Sequence, residues 1–392
     1  MAQPLLSIER IDAPGIKLKN PGLAELRAEV CQLLGRHKNT FPGAQPVSFA
    51  RRHLGELCQK DYYLCEKSDG IRYLLYATTD ENGEECHYLI DRKYEFWYIH
   101  QRNLHFPTVE DPNGFHVNTL IDGELVMDDV GNGVREPRFL VFDCLVLDGK
   151  TNLLSRSLDK RLAYFQQHVM KPYNALLKKM PGLRETQAFL VQMKDMQFAY
   201  AIEMMFKDVL PRLKHGNDGL IFTCRETGYQ FGTDQHILKW KPVTENTIDF
   251  QMRIVFKTVQ PDETDLAEGV TEPYIDYEGY QGVPDVELYI FEGNGPESYT
   301  YFNQLYLTPE EWEILKSLGD PLQERVVECA LDEQGRWRFH RFRDDKPTGN
   351  HRSTVDSVLD SIRDSVSEEE LLAASGTIKE AWKARAARRA QR

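Results

Sequence analysis

Residues 62–72 read "YYLCEKSDGIR". An apolar run carries Lys67 between two carboxylates, Glu66 and Asp69, and closes on Gly70 and Arg72. Taken alone, Lys67 reads as a surface lysine. The same texture recurs downstream, however, in "DRK" (91–93), "DGEL" (122–125), "FD" (142–143), "MKD" (193–195), "DGLIF" (218–222) and "LKWKP" (238–242), each a charged group at the end of, or inside, an apolar strand. A half-buried sheet does not tolerate such groups on its inner face without partners, because an unpaired buried charge is costly. In "ILKWK" the two-residue period puts Ile237, Lys239 and Lys241 on one face. Two adjacent ammonium groups repel, so that face meets either an anion or solvent.

Working outward from this stretch, residues 60–150 alternate β-rich runs with turn signals and predict an antiparallel sheet. Ahead of them, "NPGLAELRAEVCQLLGRH" (20–37) predicts a helix with Asn20 as N-cap and Pro21 at its first position. Behind them, helices are expected over about 157–170, opened by Ser157, and 197–213, with strands at 188–194, 218–224 and 236–242. Beyond Pro242 the texture changes to five short strands spaced for a small barrel. One helix interrupts them, where Thr308, Pro309 and Glu311 form a capping-box pattern. The expected fold class is α+β: a first domain (1–242) of antiparallel sheets with flanking helices, then a five-stranded OB-type barrel (243–365), then a charged helical tail, partly disordered at its end (366–392).

Length and composition bound the function. A chain of 392 residues suits two domains, and 41% hydrophobic with 28% charged residues suits a soluble globular protein. No stretch approaches the ~18–20 apolar residues of a membrane span, and the N-terminus lacks a signal-peptide pattern. The seven cysteines are scattered singly, without zinc spacing, and are expected to be reduced thiols of a cytosolic or nuclear protein. Forty-eight basic against 61 acidic residues give a net charge of −13, which argues against a protein that coats nucleic acid nonspecifically. Residues 258–297 hold eleven acids and no base, and residues 379–392 hold six bases and one acid; both runs read as solvated surface.

The ordered set of motifs resembles that of the covalent nucleotidyltransferases, the superfamily of mRNA capping enzymes and nucleic-acid ligases. "KSDGIR" matches its K-x-D-G-x-R element, followed in order by "YLIDRKYEFW" (88–97), "TLIDGELV" (119–126), "FLVFDCLVLDG" (139–149), "DGLIFT" (218–223), "ILKWKP" (237–242) and "RFRDDKPTGN" (341–350). The resemblance covers roughly residues 60 to 365. Capping guanylyltransferases are the most similar branch, in the wording of "TLIDGELV", "DGLIFT" and "LKWKP" and in a barrel ending in R-x-D-K, here Arg343, Asp344, Asp345 and Lys346.

That resemblance implies an mRNA guanylyltransferase. Lys67 would attack the α-phosphate of GTP, hold GMP through a phosphoamide bond and pass it to 5′-diphosphate RNA. Lysine is ordinarily protonated at neutral pH, with a pKa of about 10.4, and nearby cations favour the neutral nucleophile. Lys239 and Lys241 would clamp the α-phosphate, and Glu124 and Asp218 would meet Mg²⁺ or Mn²⁺ or the ribose hydroxyls. Arg72 and Arg92 look like ribose and phosphate contacts. Phe142 looks like the base-stacking aromatic, although core packing explains it or Phe139 equally well. Lys194 falls where the capping branch places a lysine near guanine O6, favouring GTP over ATP. Arg343 and Lys346 would serve the β- and γ-phosphates by closure of the barrel, with Asp345 ordering the metal or those two cations. A polynucleotide ligase, using ATP or GTP, shares the first step and is the alternative; a catalytically silent RNA- or phosphoprotein-binding module is the third reading. No H-C-x-x-x-x-x-R phosphatase loop and no methyltransferase-like glycine-rich segment is present. A separate RNA 5′-triphosphatase is therefore expected; the resemblance further implies docking on the phosphorylated C-terminal repeats of RNA polymerase II, which would place the protein in the nucleus, with no membrane partner.

Overall fold

The computed structural model describes residues 14–391 apart from 20–21, 100–103, 276–281, 294, 296–297 and 333. It divides into one unit of Met1–Trp240 with Glu368–Arg392 and a second of Lys241–Ser367. In the first unit the strands are β1 (Ile16–Lys17), β2 (Ala44–Ser48), β3 (Tyr62–Ser68), β4 (Ile71–Thr79), β5 (Glu85–Ile90), β6 (Phe96–Tyr98), β7 (Thr119–Gly131), β8 (Val134–Val146), β9 (Leu190–Met193), β10 (Gln197–Phe198), β11 (Asn217–Cys224) and β12 (Gly232–Trp240). They build two sheets, β1-β6-β5-β4-β7-β8-β9 and β10-β3-β11-β12-β2.

The single sheet expected over 60–150 is thus split, because the chain leaves one sheet after Ser68 and enters the other at Ile71. Within this unit the pairings β8·β9 and β12·β2 are parallel. Strand β4, "IRYLLYATT", is apolar at successive positions because both its faces are covered. Tyr73 and Leu75 pack with Ile121 and Phe139 and with Phe165 and Tyr173 of the helical region after β8. Leu74 and Tyr76 pack with Leu120, Ala44 and Val30, the last on the helix Gly22–Leu33. That helix was expected; its proposed cap, Asn20, and Pro21 lie outside the described residues.

Two helical expectations shift. The helix opened by Ser157 runs from Leu158, widens to a π-helical turn at Gln166–Met170 and continues to Lys179. The stretch 197–213 begins instead as β10, which pairs with β3, and turns helical only from Ile202.

In the second unit β13 (Thr247–Val255), β14 (Asp285–Phe291), β15 (Tyr299–Tyr306), β16 (Val326–Leu331) and β17 (Trp337–Phe342) close a barrel in the order β13-β14-β15-β17-β16. Phe250, Leu288, Val327 and Trp337 fill it, and the helix Pro309–Ser317 carries both bonds of the Thr308–Glu311 capping box. The charged segment expected as a tail is, from Glu368 to Ala390, a helix packed on the first unit. Arg385 and Arg389 both pair with the buried carboxylate of Asp61, and Trp382 packs on Phe198 and Tyr200. Burying Asp61 requires those cations.

Candidate active site

The K-x-D-G-x-R element straddles the two sheets. Lys67 hangs from β3, Arg72 opens β4, and Asp69 and Gly70 make the crossing, with the Asp69 amide bonded to Gly216 O at 2.8 Å. Gly70 fits because any Cβ there would lie 2.5 Å from Leu125 O. Between the sheets opens a cleft. Cys65, Lys67, Ile221, Thr223 and Ile237 line it from one sheet, and Arg72, Asp122, Glu124 and Phe142 from the other.

Lys67 Nζ donates to Asp218 Oδ1 at 2.7 Å. Asp218 is brought there by an irregularity in β11, where Gly219 takes φ +143° and the register with β3 shifts between Asn217 and Leu220. Lys239 pairs in register with the cleft-lining Ile221 and so shares its face; Lys241 follows directly after the strand.

Arg72 is buried, and its guanidinium is held rather than free. Nε and Nη2 donate to the two oxygens of Asp122 at 2.9 and 2.6 Å, and Nη1 donates to Ala44 O. Burial opposes its charge, but Asp122 outweighs burial and raises its pKa further. Phe142 is the extra residue of a β-bulge: Asp122 faces Asp143, the next residue Gly123 faces Val141, and Phe142 is left unpaired. Its ring consequently lines the cleft, 5.4 Å from the Arg72 guanidinium, while Phe139 is fully buried in the core. Arg161 anchors the bulge with two 2.7 Å bonds to Asp143.

Glu124 lies opposite Arg72 in the β4·β7 ladder. Burial holds its carboxyl above the usual range, against the pull of Lys194, Lys67 and Arg92. Lys194 is buried in the cleft wall, its ammonium 2.6 Å from Ser68 Oγ, 3.4 Å from Glu66 and 3.7 Å from Glu124. Burial disfavours that charge, but Cys65 and then the carboxylates of Glu66 and Glu124 prevail and hold its pKa above the ordinary lysine value. Arg92 reaches the cleft from a tight turn that Asp91 ties down by accepting from the Lys93 and Glu95 amides.

The remaining three residues, like Lys241, belong to the second unit. Arg343 pairs with Asp249 at 3.1 Å and with Asp345 at 3.0 Å, and Lys346 donates to the same buried Asp249. Asn350, through two bonds to the Asp249 backbone, fixes this corner. Both cations are thus organised by one barrel carboxylate.

For a divalent cation the donors are sparse: among the described residues no group of three or more His, Cys, Asp and Glu converges. Glu124 and Asp218 fit a hard cation that takes its other ligands from water and phosphate oxygens, as Mg²⁺ does. Asp122, Asp143, Arg161 and Tyr229 were not singled out by sequence. The first two lay inside the quoted "DGEL" and "FD", where the strand alternation hid which acids are paired; nothing local marked Arg161 or Tyr229, whose partners are distant in sequence.

Two family profiles match the chain in order: the mRNA capping enzyme catalytic domain over residues 8–243 and the mRNA capping enzyme C-terminal domain over 245–372. The chain is 56% identical over 388 residues to the mRNA-capping enzyme subunit alpha of Neurospora crassa, covering 97% of this chain and 96% of that one. It is 45% identical to the Schizosaccharomyces pombe protein of the same name, covering 97% and 91%, and 36% identical to that of Saccharomyces cerevisiae, covering 98% and 90%. Both units match in sequence order and these relatives align along nearly their whole length, so the chain belongs to the mRNA capping enzyme family.

Proposed function

We propose that this protein is an mRNA guanylyltransferase that attaches GMP from GTP to Lys67 and then transfers it to the 5′-diphosphate end of RNA. The observation that carries the reading is the position of Lys67 in the cleft, its amine hydrogen-bonded to Asp218. In the first step Nζ forms a bond to the α-phosphorus, the bond to the bridging oxygen breaks, and pyrophosphate leaves. The amine must lose protons as the N–P bond forms, and Asp218 is an acceptor within reach. In the second step a terminal phosphate oxygen of the RNA displaces Lys67 and forms the 5′–5′ triphosphate.

Lys239 and Lys241 neutralise the α-phosphate as its charge develops. Phe142 stacks on the base, Lys194 meets guanine O6, and Arg72 and Arg92 contact ribose and phosphate. Glu124 and Asp218 would hold Mg²⁺ or Mn²⁺, which when bound supplies charge neutralisation at the phosphates. Arg343 and Lys346 act on the β- and γ-phosphates, with Asp345 ordering Arg343 beside them. RNA as acceptor agrees with membership of the family. A separate 5′-triphosphatase, the phosphorylated polymerase tail and a nuclear location complete the proposal; among the described residues no helix is long and apolar enough to cross a membrane. Separate incubations with labelled GTP and labelled ATP, followed by addition of diphosphate-ended RNA, test the whole: GTP-only labelling and a capped product are expected, and ATP labelling with strand joining contradicts it.

A further inference from the structure

A closed ring of hydrogen bonds spans the cleft between the two sheets. The Tyr229 hydroxyl donates to Asp122 Oδ2 at 2.6 Å; Asp122 receives Arg72 through both of its oxygens; Arg72 Nη1 donates to Ala44 O; and the Ala44 amide donates back to the Tyr229 hydroxyl at 2.9 Å. The ring unites β4 and β7 of one sheet with β2 of the other and with the segment leading into β12. Asp122 is fully buried and Ala44 is 2% exposed, so no water replaces a missing partner cheaply. Burial, and then Asp122, push the Tyr229 phenol well above its ordinary pKa, so the hydroxyl keeps its proton and its donor role.

We infer that Tyr229 is a positioning residue for nucleotide binding: acting through Asp122, it fixes the Arg72 guanidinium, and so sets affinity for the nucleotide's ribose and phosphate. Without the hydroxyl, Asp122 keeps Arg72 but loses its bond from Tyr229, and the Ala44 amide loses that acceptor. Arg72 and Asp122 then lose the tie that Tyr229 gives them, and the guanidinium reaches β2 through Ala44 O without a second link behind it. The chemical groups at Lys67 and Asp218 are untouched, so the effect falls on binding rather than on the bond-making step. The inference rests on the cleft being the GTP site.

The test is Tyr229→Phe in the full chain, assayed for GMP attachment at a temperature well below its melting point. KM for GTP is expected to rise about tenfold, the scale of one hydrogen bond to a charged group, with kcat within about threefold of wild type. In an Arg72→Ala background, where the guanidinium it positions is gone, Tyr229→Phe should leave the Kd for GTP unchanged. Asp122→Asn, which keeps the side chain's size and removes one acceptor from the ring, is the second variant should Tyr229→Phe fail to fold, and it should raise KM in the same way. An unchanged KM, a loss confined to kcat, or an equal loss of affinity with Arg72 absent overturns the inference. Wild-type protein that binds no GTP or forms no adduct contradicts the functional reading instead, so the two failures are distinguishable.

Discussion

The amine of Lys67 and the carboxylate of Asp218 meet at 2.7 Å although 151 positions separate them in the chain. The pairing of β3 with β11 brings them together, and the irregularity at Gly219 turns Asp218 toward the amine. Lys67 is thereby held in one orientation beside a carboxylate suited to a proton or a cation.

Asp218→Ala should slow GMP attachment by on the order of 10²-fold, as loss of a transition-state electrostatic contact does. Asp218→Asn separates orientation from charge, because the amide oxygen still accepts from Lys67. Asn as poor as Ala, in single-turnover assays, is the expected result; full rescue by Asn would assign Asp218 to orientation alone.

Glu124→Gln should raise the melting temperature near pH 7 while abolishing most activity. Burial raises the folded-state pKa of Glu124 above that of the unfolded chain, so its ionised form is disfavoured by folding. The protonated form carries no such penalty. The penalty therefore sets in as pH rises through the usual carboxyl range and the raised folded value, and the advantage of Gln should vanish in acid below both. Melting curves of both proteins across pH, beside GMP attachment rates, check this; a Gln variant less stable at pH 7 would refute it.

Lys194→Ala should both loosen the fold and erode base selectivity. Removing this ammonium leaves Glu66 and Glu124 without their shared cation, a loss of about 3–5 kcal/mol by the precedent of broken buried pairs. If the lysine also reaches guanine O6, KM for GTP rises and discrimination against ATP falls by a few kcal/mol at most. Lower stability with unchanged GTP/ATP selectivity would reduce Lys194 to a structural cation.

Much of this site was legible in the sequence, for definable reasons. Lys67, Arg72, Glu124, Asp218 and Lys239 sit in motifs whose order survives any error in strand boundaries. The barrel strands were legible because each is bounded by turn residues, and the Thr308–Glu311 box because capping is local. What escaped depends on contacts distant in sequence. Phe142 and Phe139 could not be ranked because strand alternation fails at a bulge, and the bulge is fixed by Arg161, eighteen residues away. The split of the sheet at Asp69-Gly70 was hidden because β3 and β4 have the same β-rich texture. The terminal helix read as a tail because its charges find partners, Asp61 and Glu226, far upstream.

Arg343→Ala and Lys346→Ala should slow GMP attachment by on the order of 10²-fold or more, yet affect transfer from preformed enzyme–GMP to RNA far less, since pyrophosphate has then left. Each substitution also takes a cation from buried Asp249, so thermal melting must accompany both half-reactions. Equal losses in the two halves would reassign these residues to barrel integrity.

The central claim is the identity of the nucleophile, and mapping the adduct tests it most directly. Protein incubated with α-labelled GTP and a divalent cation, then digested and analysed by mass spectrometry, should carry GMP on Lys67 through a bond that survives alkali and breaks in acid. Lys67→Ala and Lys67→Arg should remain unlabelled, the latter because a guanidinium stays protonated. GMP on another residue, an alkali-labile adduct, or labelling that persists in Lys67→Ala would contradict the account.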